Sequence, residues 1–136
     1  MAKTKKKLEQ VIAIRKQVFV KEQKVPLDIE LDGLDDKAEH VVAYLVGEPI
    51  GCARIRFNTY AKLERIAILE KYRGRGFGRQ LTDFLIEYCK QKDVDEVCLH
   101  SQTNVTDFYK KLGFKIRGKP FFEADIEHVE MYIENV

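Results

Sequence analysis

The chain has 136 residues, of which 45% are hydrophobic and 34% are charged, and its formal net charge is +2. This length predicts one domain, residues 1–136, large enough to fold without a disulfide or structural metal. The small charge argues against a nucleic-acid partner, and no apolar run is long enough for a membrane helix. Three cysteines without a C-x-x-C pair offer no metal site and indicate a reducing, cytoplasmic setting.

The first forty residues predict a tail, a helix and a loop. Residues 1–7 are basic without an apolar core, so we expect a solvated tail. Apolar side chains recur at helical spacing over residues 8–23, and Pro26 ends that predicted helix. Residues 25–39 are rich in acids and predict an irregular loop with one short helical turn.

The middle of the chain predicts a hairpin and then a strand–helix–strand unit. Residues 41–46 and 50–57 are apolar runs around a Gly/Pro turn, which is typical of an antiparallel hairpin. Residues 63–69 predict a third strand, residues 76–90 an amphipathic helix, and residues 95–101 another strand. Two strands joined through a helix are expected to run parallel.

The last part of the chain predicts a short helix and two strands. The helix covers residues 104–112 and ends at Gly113, a residue that favours a helix C-terminus. Phe114 begins a further strand, and the alternation over residues 126–134 predicts the last one. The order of elements therefore predicts an α/β chain of mixed α+β character, in which a mixed sheet carries helices on both faces.

Residues 73–78, Arg-Gly-Arg-Gly-Phe-Gly, lie between a predicted strand and a predicted helix. Glycines let the backbone curl so that its N–H groups converge without blocking side chains. These N–H groups, the helix dipole and the charges of Arg73, Arg75 and Arg79 favour an anion such as a pyrophosphate. The spacing matches neither the P-loop nor the dinucleotide-binding pattern. The alternative is a glycine-rich turn that only feeds a helix.

The motif Arg73-x-x-Gly76-x-Gly78 resembles the (Arg/Gln)-x-x-Gly-x-(Gly/Ala) signature of the GNAT acetyltransferases. Residues 65–72 are similar to the strand that precedes this loop in the family. Residues 104–114 resemble the later motif in which a helix leads to Gly-Phe. The three blocks in order are more specific than the loop motif alone.

The N-terminal half is similar to one branch of that family, the ElaA/YjcF-like proteins. The similarity lies in residues 14–35 and in the later His128-x-x-Met131, and the resemblance covers about residues 10–134. It implies a mostly antiparallel sheet with a central, splayed parallel pair. Residues 1–7 lack the alternation of the family's first strand, so we expect that strand to be short or missing.

The resemblance implies that acetyl-CoA is the co-substrate and that no metal is needed. The main chain of residues 66–68 is expected to hold the pantetheine arm and thioester, and the amides of residues 74–79 the pyrophosphate. Asn104 either bonds the pantetheine or caps its helix. The residues expected to contact acetyl-CoA are Ile66, Ala67, Ile68, Arg73, Gly74, Arg75, Gly76, Phe77, Gly78, Arg79, Asn104 and Tyr109.

Tyr109 is the candidate general acid for the departing CoA thiolate. A tyrosine of pKa ~10 donates mildly uphill to a thiolate of pKa ~8.5, which becomes feasible when the thiolate is buried. The alternative is that Tyr109 packs beside Phe108 and Leu112 with its hydroxyl bonded to the backbone.

A general base must take the proton of an attacking amine, and several acidic or imidazole side chains are candidates. Glu64 starts the splayed strand and His100 ends its neighbour, so these two are the predicted catalytic bases. The wider set is Glu22, Asp32, Glu64, His100 and His128. The predicted substrate-binding residues are Glu22, Arg54 and His128, although Arg54 could instead pair with Asp32 or Asp35. Residues 121–123 wall the acceptor pocket or plug the sheet.

The predicted function is transfer of an acetyl group from acetyl-CoA to a primary amine, by direct attack in a ternary complex. The acceptor is expected to be a small-molecule or peptide amine, which the sequence does not identify. The protein is expected to have no nucleic-acid or membrane partner. The alternative is a non-catalytic sensor of acyl-CoA that uses the same loop. A third reading, RNA binding through Lys3–Lys7 and the glycine loop, lacks exposed aromatics for base stacking. The oligomeric state stays open, with a homodimer among the alternatives.

Overall fold

The computed structural model describes residues 1–134 and contains a six-stranded mixed sheet in the order β1-β2-β3-β4-β6-β5. Neighbouring strands run antiparallel except β3 and β4, which are parallel. This arrangement confirms the predicted mixed, mostly antiparallel sheet. The strands are β1 (Glu39–Leu45), β2 (Glu48–Phe57), β3 (Ala61–Ile68), β4 (Glu96–Gln102), β5 (Lys115–Glu123) and β6 (Ile126–Glu134).

Helices cover both faces of the sheet, as the sequence predicts. The predicted first helix starts as an α-helix and continues as a π-helix (Lys16–Glu22), in which Gln23 N donates to Val18 O. Short 3₁₀ turns occupy Asp35–Lys37, Glu70–Tyr72 and Thr103–Val105. The α-helices are α1 (Lys5–Arg15), α2 (Leu27–Glu30), α3 (Phe77–Lys90) and α4 (Thr106–Lys110).

Apolar clusters fix the helices to the sheet. Leu81, Leu85 and Cys89 of α3 pack against the face that carries Val97 and Leu99. On the opposite face, apolar residues of the first helix pack against β2 and β3. That second cluster contains Val11, Ile14, Val18, Cys52 and Ala67. All three cysteines are buried and unbridged, so the predicted packing role is confirmed.

The parallel strands β3 and β4 separate part-way along their length, as the family resemblance implies. Within residues 1–134 their pairing runs from Ala61–Val97 to Leu63–Leu99. Beyond that point β3 stays on β2, with an irregular register at Arg65, whose φ of 53° is left-handed. His100 and the residues after it stay on β6. The divergence opens a gap in the centre of the sheet.

The N-terminal residues differ from the solvated tail that we expected. Ala2 is buried, and its N–H donates to the carbonyl of His40 at 2.8 Å. Thr4 caps α1 because its hydroxyl accepts from Lys7 N at 3.2 Å, and the helix begins at Lys5. Residues 1–4 contain no strand, as expected from their lack of alternation. Within the described residues, no helix is long and apolar enough to cross a membrane.

A buried charge network anchors the acidic segment between α1 and β1. The guanidinium of Arg15 is fully buried and binds Glu30 and Asp35, both at 2.7 Å. Arg54 on β2 is equally buried and binds Asp32 at 2.8 Å and Asp35 at 3.0 Å. These pairs fix the predicted irregular loop to the first helix and to β2.

Candidate functional site

Two adjoining cavities meet at the gap between β3 and β4. The loop cavity, of about 460 Å³, lies between the end of β3 and residues 73–79. The polar cavity, of about 250 Å³, lies on the side of the first helix and of β6. Ile66, Val105 and Tyr109 line both, so a ligand could reach from one into the other.

The loop cavity gathers most of the residues predicted to contact acetyl-CoA. Arg75 and Asn104 are the two predicted residues outside its lining. Asn104 is exposed, and neither helical turn beside it has a side-chain cap, so the predicted capping role is not found there, while its bond to pantetheine stays a prediction. Val105 and Phe108 line the cavity although they were not in the predicted set. Phe108 could have been found, because it belongs to the motif that resembles the family.

The glycine loop presents backbone donors at the start of α3. Gly74 and Gly76 have φ values of +78° and +81°, and a Cβ at either would meet no atom within 4 Å. Glycine is therefore required by backbone conformation rather than by space. The first helical bond runs from Gln80 N to Gly76 O, which leaves the N–H groups of residues 77–79 without helical acceptors. The helix dipole adds partial positive charge at the same end.

The arginines of the loop differ in how far their charge is already paired within the protein. The Nε of Arg73 donates to Ile68 O at 2.8 Å, and its Nη atoms bind both oxygens of Glu22 at 2.5 and 2.9 Å. The bond to Glu22 raises the pKa of Arg73. Arg79 is largely exposed, 3.9 Å from Asp83. Arg73 therefore ties the loop to β3 and to the first helix. Glu22 has Arg73 as its partner, and its contact with an acceptor stays a prediction.

Tyr109 stands where the two cavities join. Its ring packs edge-on against Phe108 and Phe114, with centroids 5.0 and 5.9 Å away. Burial raises the pKa of Tyr109 to about 12, so the hydroxyl carries its proton at neutral pH. The ring packing partly matches the predicted alternative, but within residues 1–134 no backbone bond of the hydroxyl accompanies it.

The carboxylates predicted as bases are held by arginines. Glu64 lines the polar cavity but binds Arg56 at 2.6 Å and Arg54 at 3.0 Å. Burial alone would raise the pKa of Glu64, yet the hydrogen bond from Arg56 and the charge of Arg54 hold it below the usual value. Asp32 receives two bonds from Arg54, which lower its pKa far below the usual range. Both groups are therefore weak proton acceptors.

Arg54 does not take the substrate-binding position that we expected. Its side chain is fully buried and lines neither cavity. The predicted alternative, pairing with Asp32 or Asp35, is what the structure contains, and Glu64 adds a third partner. An acid of a substrate has no route to this guanidinium.

The two histidines of the polar cavity each have one ring nitrogen engaged. His100 Nδ1 lies 2.6 Å from Glu123 Oε1, and His128 Nδ1 lies 2.7 Å from the carbonyl of Ile126. Both partners only accept, so each Nδ1 carries a hydrogen and each neutral ring has its lone pair on Nε2. Phe121 contacts both rings, with centroid distances of 4.9 Å to His100 and 6.3 Å to His128.

Sequence reasoning missed two glutamines in the polar cavity. Gln102 Nε2 donates to Gln23 Oε1 at 3.1 Å, which connects β4 to the end of the first helix. The two residues are far apart in sequence, so no local pattern could have paired them. Gln23 lies in the segment similar to the ElaA/YjcF-like branch, which was the only signal available.

Comparisons with known proteins agree with this geometry. The family model described as "Acetyltransferase (GNAT) domain" matches residues 3–135. The "Uncharacterized N-acetyltransferase YjcF" of Bacillus subtilis is 36% identical, over 96% of this chain and 95% of that protein. A putative N-acetyltransferase from Lactobacillus plantarum superposes with a TM-score of 0.91 at 26% identity, covering 98% of this chain and 94% of its own. Escherichia coli ElaA superposes with a TM-score of 0.87 at 27% identity, covering 97% and 93%.

Proposed function

Because the chain belongs to the GNAT acetyltransferase family and is thus an acyltransferase, we propose that it transfers the acetyl group of acetyl-CoA to a primary amine. The observation that carries the proposal is the position of Tyr109, on the wall shared by the loop cavity and the polar cavity. One cavity offers an anion site and the other offers proton acceptors. A donor and an acceptor could therefore meet at Tyr109 in a ternary complex, without an acetylated enzyme.

The loop cavity suits the diphosphate of the donor. The N–H groups of residues 77–79, which have no acceptor within residues 1–134, and the dipole of α3 supply the attraction for this diphosphate. Arg75 and Arg79 add side-chain charge nearby, whereas the charge of Arg73 is already matched by Glu22. The mostly apolar wall made by Ile66, Ile68 and Phe108 suits a pantetheine arm.

The separated edge of β3 suits the thioester. After Leu63 the strand β3 separates from β4. Along residues 66–68, the edge of β3 that would otherwise pair with β4 therefore borders the cavity. A backbone N–H on this edge can donate to the thioester carbonyl as negative charge develops on its oxygen. The side chains of Ile66 and Ile68 only pack.

Tyr109 and His100 supply the proton transfers. Tyr109 holds its proton at neutral pH and can give it to the departing thiolate. Among the predicted bases, Glu22, Asp32 and Glu64 are bound to arginines, whereas the described residues give no partner to the Nε2 of either His100 or His128. Of these two rings, His100 lies at the gap, because it follows Leu99, the last residue of β4 that pairs with β3. We therefore assign His100 as the base and place the amine in the polar cavity. The cavity's size and polar lining suit a small amine or the amine end of a peptide.

The test combines binding with turnover. Isothermal calorimetry with CoA and with acetyl-CoA should give saturable heat, and free thiol should appear when polyamines, amino sugars, aminoglycosides or peptide amines are added with acetyl-CoA. Binding of acetyl-CoA without thiol release from any amine would favour the sensor. Absence of binding to either compound would remove the whole assignment.

Two glycines offer a matched control for the binding site. Gly76→Ala forces a side chain into a left-handed position at the start of α3 and should weaken CoA binding about tenfold or more, because the amides are re-aimed. Gly47→Ala makes the same change in the hairpin turn, where φ is also +80°, and should leave CoA binding unchanged. Equal affinity of both variants would place the diphosphate elsewhere.

A further inference from the structure

A carboxylate from the edge of the sheet contacts the proposed base. Glu123 is the last residue of β5, and His100 lies on β4, with β6 between the two strands. Glu123 Oε1 is nevertheless 2.6 Å from His100 Nδ1. The hydrogen bond from His100 outweighs burial and holds the pKa of Glu123 below its usual value, so the carboxylate is ionised at neutral pH.

The ring of His100 is held in one orientation by its surroundings. Phe121 packs edge-on against His100 at an interplanar angle of 75°, and Phe121 also stacks on His128 at 20°. His128 cannot offer Glu123 a competing Nδ1–H, because that hydrogen is already donated to Ile126 O. Glu123 therefore has one preferred donor in this cluster.

Charged residues on the strands next to His100 already have partners of their own. Glu130 lies opposite His100 in the β4–β6 register and binds Arg117 at 2.8 Å. On β3, Lys62 lies 3.4 Å from Glu64, which is held by two arginines. Glu123 is thus the carboxylate left to bind the imidazole.

His100 is also placed where the reaction would occur. It follows Leu99, the last residue of β4 that pairs with β3, so it stands at the mouth of the gap. The polar cavity that it lines is shared with Tyr109. A base and an acid therefore border one cavity, on the acceptor side and the donor side.

We propose that Glu123 is a positioning residue that holds His100 in the tautomer with a hydrogen on Nδ1 and a free lone pair on Nε2, directed to the acceptor amine. This inference deepens the proposed function and rests on it. As the amine nitrogen bonds to the acetyl carbon, its proton passes to His100 Nε2 and the C–S bond breaks. The Tyr109 proton passes to the sulfur. The imidazolium then faces the Glu123 carboxylate until it returns its proton to solvent, from which Tyr109 is reprotonated.

The first test reads the tautomer of His100 without any substrate. The chain has three histidines, so ¹⁵N-labelled histidine gives a simple NMR spectrum that His100→Gln and His128→Gln can assign. The wild-type protein should show His100 with a protonated Nδ1 and an unprotonated Nε2. In Glu123→Gln the amide can donate as well as accept, so at least a tenth of the rings should carry the hydrogen on Nε2.

The second test reads the consequence for turnover with an amine that releases thiol in the acceptor panel. Glu123→Gln should lower kcat about 10- to 100-fold and leave the KM for acetyl-CoA unchanged. Glu127→Gln is the matched control, because this glutamate is exposed on the same hairpin and, within residues 1–134, accepts a side-chain bond from Thr103 Oγ1 alone, at 2.9 Å. It should keep the wild-type tautomer and kcat.

The two tests fail separately. If no amine is acetylated, the proposed function fails, and the NMR experiment still decides what Glu123 does to His100. An unchanged His100 tautomer in Glu123→Gln overturns the inference. So does a kcat equal to that of Glu127→Gln in a chain that acetylates an amine. Both variants lie at exposed positions, so loss of folding is not expected to obscure the result.

Discussion

Replacing Arg54 by methionine separates a structural role from a substrate-binding role. Arg54 is fully buried and contacts Asp32, Asp35 and Glu64, so the variant removes the central cation of the charge network. If the guanidinium only bound a substrate, the variant would bind its amine acceptor poorly and fold normally. The network predicts the opposite, a large loss of stability.

The size of the stability loss in Arg54→Met depends on which cationic partners the carboxylates retain. Removing one partner of a buried pair costs about 3–5 kcal/mol, because the remaining charge is left without compensation. Here Asp35 keeps Arg15 at 2.7 Å, and Asp32 keeps Arg65 at 3.3 Å. These residual partners place the expected loss near the lower bound, at about 3 kcal/mol. For a chain of 136 residues this corresponds to a fall in Tm of about 10 °C.

The matched control is Arg56→Met on the same strand. Arg56 is 34% exposed and binds Glu64, so its removal should cost at most about 1 kcal/mol. Urea unfolding followed by circular dichroism at pH 7 gives both free energies of unfolding. If Arg54→Met lost no more stability than Arg56→Met, the network would not hold the acidic segment, and the reasoning from burial would be refuted.

Three further outcomes are expected. Tyr109→Phe keeps the aromatic packing but removes the proton donor, so kcat should fall about a hundredfold while calorimetry finds the same affinity for acetyl-CoA; unchanged kcat would exclude Tyr109 as the acid. Ala124 has a φ of 49° in the β5–β6 turn, so Ala124→Gly should raise stability by about 0.5–1 kcal/mol, and a lower Tm would contradict this. The carboxyls that bind Arg54 have lowered pKa values, so their stabilising contribution is present above about pH 4 and is lost as the pH falls below it. The urea midpoint should therefore drop on acidification, and more steeply in the wild type than in Arg54→Met.

The sequence allowed prediction of those parts of the fold that depend on neighbouring residues. Periodicity identified the strands and α3, because alternation and helical spacing are local patterns. The left-handed glycines at 74 and 76 followed from the conformation that a helix-starting loop requires. Thr4 was missed as a helix cap because the basic residues around it suggested a solvated tail.

Pairing between distant side chains could not be predicted in the same way. Glu123 and His100 are 23 residues apart and meet only because β6 lies between their strands. The acidic segment offered several carboxylates to Arg54, and nothing in their spacing selected Asp32 and Asp35 over a substrate. The strand order and the burial of each charge make these choices, and both arise from the whole fold.

The proposed chemistry lies with the polar groups that the fold leaves open. Carboxylates such as Asp32 and Glu64 are bound by arginines and belong to the network that fixes the acidic segment. The residues whose polar groups the proposal uses, which are the loop at the start of α3, Tyr109 and His100, instead line the two cavities. A polar group that is not already paired can stabilise developing charge or move a proton without first breaking a bond. The proposed role of Glu123 rests on the same distinction, since its contact with one nitrogen of His100 would leave the other nitrogen to accept a proton.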